Sequence, residues 1–342
     1  MDIMPAAEID WALSVYHPRP ADSPWRLDAL FSPSLMRHYS LGRWALLEAL
    51  KIAGVGAGDA VLLPGFICRE ALFPLDILGA RPLFYELGPG LDPRIEPDQL
   101  PPAKAVIAVN FFGFPQDLSL FERYCRRHGA LLIEDNAHGL FSRDESGRLL
   151  GTRAPLGVLS PRKTLPLPDG GALLVNDARL AERSPRALPP AAGRGPSRRS
   201  LLRRAAPWLG ARAMAYCLGA ARSWRAAARE RTQPPGSPNP CPELLAPLSM
   251  PSPDYEARRR RALYLRCESL IGHWVKPVFP ALPASVVPYL FAYRADPEPA
   301  RRAESLLMSE GLWSLPWPGL PESVSSTAPG HYRNVRGVHF LW

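Results

Sequence analysis

Four side chains with complementary chemistry occur in two short segments near the middle of this sequence. Asp135 and His138 belong to the segment EDNAH at 134–138, and Ser160 and Lys163 begin and end the segment SPRK at 160–163. Together they supply a carboxylate, an imidazole, a hydroxyl and a primary amine. The chain has only four lysines beside a large excess of arginine, which favours a specific role for Lys163.

These groups match the chemical requirements of one cofactor. A lysine amine condenses with an aldehyde only when it is unprotonated, which a partly buried site favours. A carboxylate against a pyridine nitrogen keeps that nitrogen protonated, and the ring then acts as an electron sink. The sequence therefore predicts a pyridoxal phosphate site. Lys163 is the predicted Schiff-base lysine, Asp135 pairs with the ring nitrogen, and Ser160 donates to the phosphate.

Each residue also has an ordinary structural interpretation when it is considered alone. Asp135 would cap a turn, His138 would be a hydrogen-bonded loop histidine, and Lys163 would be a solvated loop lysine. The functional interpretation depends on their occurrence together. Glu134 is a weaker candidate than Asp135, because successive side chains of a strand point to opposite faces of the sheet.

A predicted helix begins at Gly42, and its first residues are Gly42, Arg43 and Trp44. The N-terminus of a helix offers backbone N–H groups to a phosphate, and Ser40 is the predicted cap. Every helix has an N-terminus, so this segment indicates a phosphate site only in combination with Ser160 and Lys163.

The segments between 42 and 177 alternate between helical patterns and short apolar runs. The helical patterns cover 42–53, 68–78 and 118–128, and the apolar runs cover 60–63, 82–85, 105–109, 131–133 and 172–175. This alternation predicts an α/β fold with a mostly parallel central sheet flanked by helices. Asp135 would lie where a strand ends, and ligands of such sheets bind beyond the carboxyl ends of the strands.

The composition changes after residue 182, which predicts three parts. Residues 1–182 form a large cofactor-binding domain with an N-terminal arm, and residues 183–253 form a Pro- and Arg-rich connection with basic helices. Residues 254–342 form a smaller C-terminal α+β domain. Its predicted elements are helices at 254–271 and 298–310 and strands at 286–293 and 312–317.

The formal net charge is +9, and the basic excess is concentrated in 194–231 and 258–261. Such runs bind nucleic acid, anionic lipid or phosphorylated molecules, or else form solvated faces. Nucleic-acid binding is not predicted, because the arginines lack the interleaved aromatic residues of a known module. Segment 201–231 fits an amphipathic helix, which either packs on its own core or contacts anionic membrane weakly.

Cysteine usage and the N-terminus indicate a cytoplasmic protein. The five cysteines are scattered and have no CxxC spacing, so neither a disulfide framework nor a metal site is predicted. The first residues show no basic segment followed by an apolar stretch, and no run of about 18 apolar residues occurs. A secretory signal and a transmembrane helix are therefore not expected.

Together these motifs resemble the DegT/DnrJ/EryC1/StrS family of fold-type I pyridoxal phosphate enzymes, known chiefly as aminotransferases of nucleotide-linked keto-sugars. The resemblance covers roughly residues 40 to 177 in order and spacing. The matching segments are 42–50, 58–64, 79–84, 109–115, 134–138, 160–163 and 169–172.

The resemblance implies a role for each matching residue. Lys163 is the covalent lysine and proton carrier, and Asp135 is the partner of the pyridine nitrogen. His138, where the family more often has Gln, lies beside the ring oxygen. The remaining cofactor-binding residues are Ser160 at the phosphate, the helix-start residues Gly42, Arg43 and Trp44, and either Phe66 or Cys68 in the loop that usually stacks on the ring.

The implied function is transfer of an amino group from an amino acid, glutamate by resemblance, to a keto-sugar acceptor, in a homodimer with pockets at the subunit interface. One departure is that the family's Gly-x-Asn-Tyr-Arg segment, lent by the neighbouring subunit, has no clear match in 234–254. This departure motivates an alternative: a catalytically silent relative that binds the cofactor or a sugar nucleotide and acts as a scaffold or regulator. A sugar dehydratase is disfavoured, because such relatives tend to replace the lysine with histidine.

Overall fold

A computed structural model describes residues 22–191, 236–249, 252–317 and 319–340. The predicted basic helices of 201–231, and with them the predicted membrane contact, lie outside these residues. In the part of the chain that is described, no helix is both long enough and apolar enough to cross a membrane.

The larger part of the structure, residues 22–191, is built around an eight-stranded sheet. Its strands are β1 (Leu35–Tyr39), β2 (Ala60–Pro64), β3 (Arg81–Leu87), β4 (Pro93–Arg94), β5 (Ala105–Val109), β6 (Leu131–Asn136), β7 (Leu156–Leu159) and β8 (Gly171–Val175). They lie in the order β1-β8-β7-β6-β5-β2-β3-β4. The five central strands from β7 to β3 are parallel to one another, whereas β8, β1 and β4 pair antiparallel at the edges. The predicted mostly parallel sheet is confirmed.

Every residue of β2, β5, β7 and β8 is buried, as expected of strands with both faces covered. The helices of this part are α1 (Leu27–Leu30), α2 (Gly42–Ile52), α3 (Phe73–Leu78), α4 (Ser119–His128) and α5 (Ala178–Ala181). The predicted helix at 68–78 is a 3₁₀ turn over Arg69–Ala71 followed by α3, which begins with Pro74 in its first turn. Proline favours the first turn of a helix, where no intrahelical N–H bond is lost.

The C-terminal part contains a four-stranded antiparallel sheet. Its strands β9 (Lys276–Pro277), β10 (Leu290–Arg294), β11 (Ser314–Pro316) and β12 (Val335–His339) lie in the order β11-β12-β10-β9. A short helix, α6 (Pro242–Leu245), packs Leu244 into a cluster with Leu27 and Leu159 of the larger part. The helices of the C-terminal part are α7 (Pro253–Ile271), α8 (Pro297–Ser309), α9 (Glu322–Ser325) and α10 (Gly330–Arg333). The predicted α+β character is confirmed. The strand predicted at 286–293 begins only at Leu290, because Pro288 has no N–H to donate to a ladder.

The two sheets share one continuous hydrophobic core. Phe114 of the larger part stacks on Phe279 with ring centroids 3.8 Å apart, and Phe66 packs against Tyr332 at 5.3 Å. The Tyr289 N–H donates to the Phe112 carbonyl at 2.8 Å. The domain boundaries at 182 and 254 stay a prediction.

The arginine run at 258–261 contributes two residues to the protein interior. Arg259 and Arg260 are 2% and 1% exposed, and both pair with Glu256, which is 1% exposed. Residues three and four positions apart lie on one side of a helix, so one carboxylate in α7 reaches both guanidinium groups. The interpretation of this run as a solvated face is therefore wrong for these two arginines.

Candidate active site

Strand β6 carries two neighbouring carboxylates that point in opposite directions. Glu134 is fully buried and accepts hydrogen bonds from Asn110 Nδ2 at 2.8 Å and from Arg153 Nε at 2.7 Å. Asp135 Oδ1 accepts from the Ala137 N–H at 2.9 Å. Asp135 lies inside β6 rather than after it, because the strand continues to Asn136. The strand alternation leaves Glu134 in a structural ion pair and Asp135 on the other face.

Asp135, Cys68 and Lys163 share one electrostatic environment. Burial raises the pKa of the Asp135 carboxyl, and the nearby Lys163 opposes that shift. Burial also raises the pKa of the Cys68 thiol, again against the influence of Lys163. The structure thus brings the predicted amine, the predicted carboxylate and one residue of the 65–68 loop together, although the loop after β2, strand β6 and the turn after β7 are far apart in sequence.

Lys163 ends a 3₁₀ turn, Pro161–Lys163, that is separated from β7 only by Ser160. Its Nζ lies 2.9 Å from His138 Nε2. The other ring nitrogen, Nδ1, accepts the Phe112 N–H at 3.4 Å. An amide N–H can only donate, so a neutral His138 ring carries its proton on Nε2, and this N–H donates to the unprotonated form of the Lys163 amine. Burial, followed by Lys163 and His339, lowers the pKa of His138 well below its usual value, so the ring is neutral at ordinary pH.

His138 is held between two aromatic rings. Its ring is parallel to that of Tyr289 at 4.7 Å and to that of Phe112 at 5.7 Å. Phe112 has a φ of 56°, a left-handed conformation that is uncommon for a bulky residue. In this conformation its N–H bonds to His138 and its C=O accepts the Tyr289 N–H. Such outliers cluster at functional sites, where the surroundings impose them.

Three residues of the site come from the C-terminal part and were not identified from the sequence. Tyr289 stacks on His138, and Trp317 contacts the same ring at 5.7 Å with an interplanar angle of 66°. His339, the last residue of β12, contacts the rings of both Tyr289 and Trp317. Tyr289 stood in a predicted strand, but no spacing connects any of the three to 134–138 or 160–163.

The start of α2 lies against Ser160. A Cβ at Gly42 would lie 3.4 Å from the Leu159 carbonyl oxygen and 3.7 Å from Ser160 Oγ. The helix has Leu41 at its N-cap and no side-chain cap. The prediction that Ser40 caps it is wrong, because Ser40 Oγ donates to the Ser237 carbonyl at 2.6 Å. The first amides of α2 therefore have no side-chain acceptor, as an anion site requires.

The side chains of Arg43 and Trp44 both contact Phe73. The Arg43 guanidinium lies 5.8 Å from the Phe73 ring, and the Trp44 ring meets it edge-on at 5.2 Å. Trp44 Nε1 is buried and has no acceptor within the described residues.

Phe66 is fully buried between Phe111 and Tyr332, at ring distances of 5.7 Å and 5.3 Å. A side chain with no exposed surface in a structure without ligand has no face to offer to a cofactor ring. The structure therefore argues against Phe66 as the stacking residue. Cys68, which is partly exposed and electrostatically linked to Lys163 and Asp135, is the remaining candidate in that loop.

Residues 39–189 match the model of the DegT/DnrJ/EryC1/StrS aminotransferase family. Over 152 residues the chain is 35% identical to an L-glutamine:2-deoxy-scyllo-inosose aminotransferase of Streptomyces kanamyceticus, covering 42% of this chain and 35% of that protein. A dTDP-3-amino-3,4,6-trideoxy-alpha-D-glucose transaminase of Streptomyces venezuelae is 34% identical over 151 residues, 42% of this chain and 39% of the relative. The aligned segment thus spans little more than a third of these relatives.

Solved structures resemble the chain over most of its length. The aminotransferase TlmJ from Streptoalloteichus hindustanus superimposes with a TM-score of 0.57 at 22% identity, covering 90% of this chain and 80% of that one. The PMP-form of the putative sugar aminotransferase Spr1654 from Streptococcus pneumoniae gives 0.58 at 14% identity, with coverage of 99% and 92%. The chain has the fold of these aminotransferases, and the predicted fold-type I architecture is confirmed.

Proposed function

We propose that this protein is a pyridoxal phosphate-dependent aminotransferase, on the premise that residues 39–189 belong to the DegT/DnrJ/EryC1/StrS aminotransferase family. In this proposal an amino group passes from an amino acid to a keto-sugar. The observation that carries it is the Lys163 amine, which lies 2.9 Å from His138 Nε2 and interacts electrostatically with the partly buried Asp135.

The residues around Lys163 fit this cofactor. An amine for the aldehyde, a carboxylate for the ring nitrogen and an uncapped helix start for the phosphate occur in one site. The phosphate end is suited to an anion, because Gly42 has no side chain beside Ser160 Oγ and the first amides of α2 have no side-chain acceptor. Lys163, Asp135, His138, Ser160, the α2 start and Cys68 would hold the group.

When bound, pyridoxal phosphate supplies an aldehyde that takes up the amino group and a protonated ring that withdraws electrons from the reacting carbon. The protein residues bind, orient and move protons. Asp135 would hold a proton on the ring nitrogen, and its partial burial would strengthen that pairing because screening by solvent is weaker there. Lys163 Nζ would bind the aldehyde and would move the proton of the reacting carbon as general base and general acid. His138 Nε2 keeps the amine in place.

The substrates are proposed from the family and from the shape of the site. The names of the relatives contain an inosose and a dTDP-linked sugar, which supports a keto-sugar acceptor. The donor is glutamate by resemblance, and the inosose relative is named for L-glutamine. Tyr289 and Trp317 offer flat aromatic faces beside His138, which suit the apolar face of a sugar ring. A homodimer is proposed on the same family grounds.

An absorbance spectrum of the protein with pyridoxal phosphate, recorded before and after adding glutamate or glutamine, tests the proposal. We expect the wild type to show the visible band of covalently bound cofactor and to lose it when a donor is added. Lys163→Ala should lack the band, whereas Lys104→Ala, which removes an exposed lysine, should match the wild type.

Two other results have distinct meanings. A band that persists in Lys163→Ala would contradict the assignment of Lys163. A band that depends on Lys163 but does not respond to any amino donor would favour the alternative of a silent cofactor-binding relative.

A further inference from the structure

Arg260 of α7 joins the two parts of the chain at the candidate active site. Its side chain is 2% exposed, and its Nε donates to Glu256 Oε1 at 2.6 Å. The terminal nitrogens donate to main-chain carbonyls: to Tyr289 at 3.0 Å and to Thr164 at 3.2 Å, with longer bonds of 3.5 Å to Pro288 and Lys163. One guanidinium therefore fixes the segment that carries Lys163 and the segment that carries Tyr289.

These two segments hold side chains whose relative position matters. Lys163 Nζ lies 5.9 Å from the centre of the Tyr289 ring, and that ring stacks on His138 at 4.7 Å. His138 Nε2 in turn lies 2.9 Å from Lys163 Nζ. The distance between the Lys163 and Tyr289 main chains thus controls where the amine sits relative to the imidazole.

We propose that Arg260 is a positioning residue, whose bonds to the Lys163–Thr164 and Pro288–Tyr289 carbonyls set the Lys163 amine against His138 and Tyr289. The inference rests on the proposed function of Lys163 as the lysine that binds pyridoxal phosphate. Arg260 does not contact the reacting Lys163 amine, because its hydrogen bonds go to main-chain carbonyls and to Glu256.

The chemistry of this contact requires arginine. A guanidinium has five N–H donors in a planar fork, whereas a lysine ammonium has three donors on a single nitrogen. Burial lowers the pKa of Arg260 and Glu256 counteracts this, so the ion pair supports the charge that strengthens the carbonyl bonds. A lysine at this position could keep the ion pair but could reach fewer of the carbonyls.

Arg259 provides a matched control on the same helix. It is as buried as Arg260 and pairs with the same carboxylate, with Nε to Glu256 Oε2 at 2.9 Å. Its terminal nitrogen donates to the Phe340 carbonyl at 2.9 Å instead of to the Lys163–Thr164 turn. Replacing either arginine breaks a buried ion pair, but among the hydrogen bonds between described residues only those of Arg260 reach the Lys163 and Thr164 carbonyls.

The experiment measures the modification of individual lysines rather than turnover. The protein is incubated with pyridoxal phosphate and reduced with borohydride, and the labelled lysines are quantified by mass spectrometry. Lys51, Lys104 and Lys276 are exposed and serve as internal standards for the reagent. We expect Arg260→Met to lower the labelling of Lys163 relative to these standards about tenfold, a loss typical of charge-assisted hydrogen bonds.

In Arg259→Met we expect the labelling of Lys163, relative to the exposed lysines, to stay within about twofold of the wild type. Arg260→Lys should label Lys163 more than Arg260→Met does and less than the wild type. Equal losses in Arg259→Met and Arg260→Met, paralleled by equal losses of stability in urea, would assign Arg260 a structural role only. If Arg260→Met does not fold, Arg260→Lys is compared with Arg259→Lys by the same criterion. Failure of the wild type to label Lys163 in preference to the exposed lysines would instead refute the proposed function.

Discussion

Exchanging each of the neighbouring carboxylates of β6 for its amide should separate the residue that stabilises the fold from the residue that serves the site. Glu134→Gln and Asp135→Asn make the same chemical change at adjacent positions. We expect the first to lower the free energy of unfolding while cofactor affinity is kept, and the second to lower cofactor affinity while stability is kept.

The magnitude for Glu134→Gln follows from its partners. Glu134 Oε1 lies 2.6 Å from Arg153 Nη2, and the two side chains are 0% and 5% exposed. Glu134 Oε2 accepts the Arg153 N–H at 3.0 Å. Glutamine has one oxygen in place of two and no charge, so a buried guanidinium loses its counter-ion. Breaking such a buried pair from one side costs about 3–5 kcal/mol.

For Asp135→Asn we expect a small change in the free energy of unfolding and a large change in cofactor affinity. The amide oxygen can keep the bond from the Ala137 N–H, and the burial that raises the pKa of Asp135 opposes the charged carboxylate in the cofactor-free protein. We expect the stability of that protein to change by less than about 1 kcal/mol at neutral pH. The pairing with a protonated ring nitrogen is lost, which removes about 1.5–3 kcal/mol, or about tenfold to 150-fold in affinity.

The pH dependence has a definite sign. The carboxyl of Asp135 has its pKa raised in the folded chain from an ordinary value of 3.8. The folded state therefore binds this proton more readily than the unfolded chain does. Relative to Asp135→Asn, the cofactor-free wild type should be most stable below pH 3.8 and should lose that advantage as the pH rises through the folded-state pKa.

Urea unfolding of the cofactor-free proteins measures the stability differences, and an absorbance titration with pyridoxal phosphate measures affinity. The reasoning is refuted if Asp135→Asn binds the cofactor as tightly as the wild type. It is equally refuted if Glu134→Gln loses affinity without losing stability, since Glu134 would then act on the cofactor.

Further predictions concern the phosphate end and the imidazole. Ser160→Ala should weaken pyridoxal phosphate about tenfold, the value of a hydrogen bond to a charged group, in an absorbance titration; unchanged affinity would exclude the hydroxyl from the phosphate site. Gly42→Ala should fold normally, because its Cβ meets only contacts of 3.4 Å or longer, yet it should weaken the cofactor similarly by filling the space beside Ser160. His138→Gln, which keeps an N–H donor for Lys163 but loses the stack on Tyr289, should retain the visible band and lose about 0.5–1.5 kcal/mol of stability in urea. Loss of the band with unchanged stability would show that the imidazole itself is required.

The sequence alone determined which residues are candidates for the site and which strands and helices support them. Strand and helix periods are local properties of the chain, so the parallel sheet and the placement of Asp135 opposite to Glu134 followed from the pattern of apolar residues. The family resemblance predicted over roughly residues 40 to 177 was carried by the same segments, and the match of residues 39–189 to the family model confirms it. Lys163 and His138 were both identified as candidates, although only the structure shows them 2.9 Å apart.

Only the tertiary structure decided what surrounds these residues. Tyr289 and Trp317 lie next to strands β10 and β11 of the C-terminal sheet and contact His138 from there. Arg260 reaches the site from the buried side of α7. Burial depends on which elements pack together. A run of arginines therefore looks the same whether it faces solvent or encloses Glu256, and an aromatic residue such as Phe66 fits a ligand-stacking role as well as a core. Contacts between elements distant in sequence depend on topology and packing, which the apolar periodicity of a single segment does not predict.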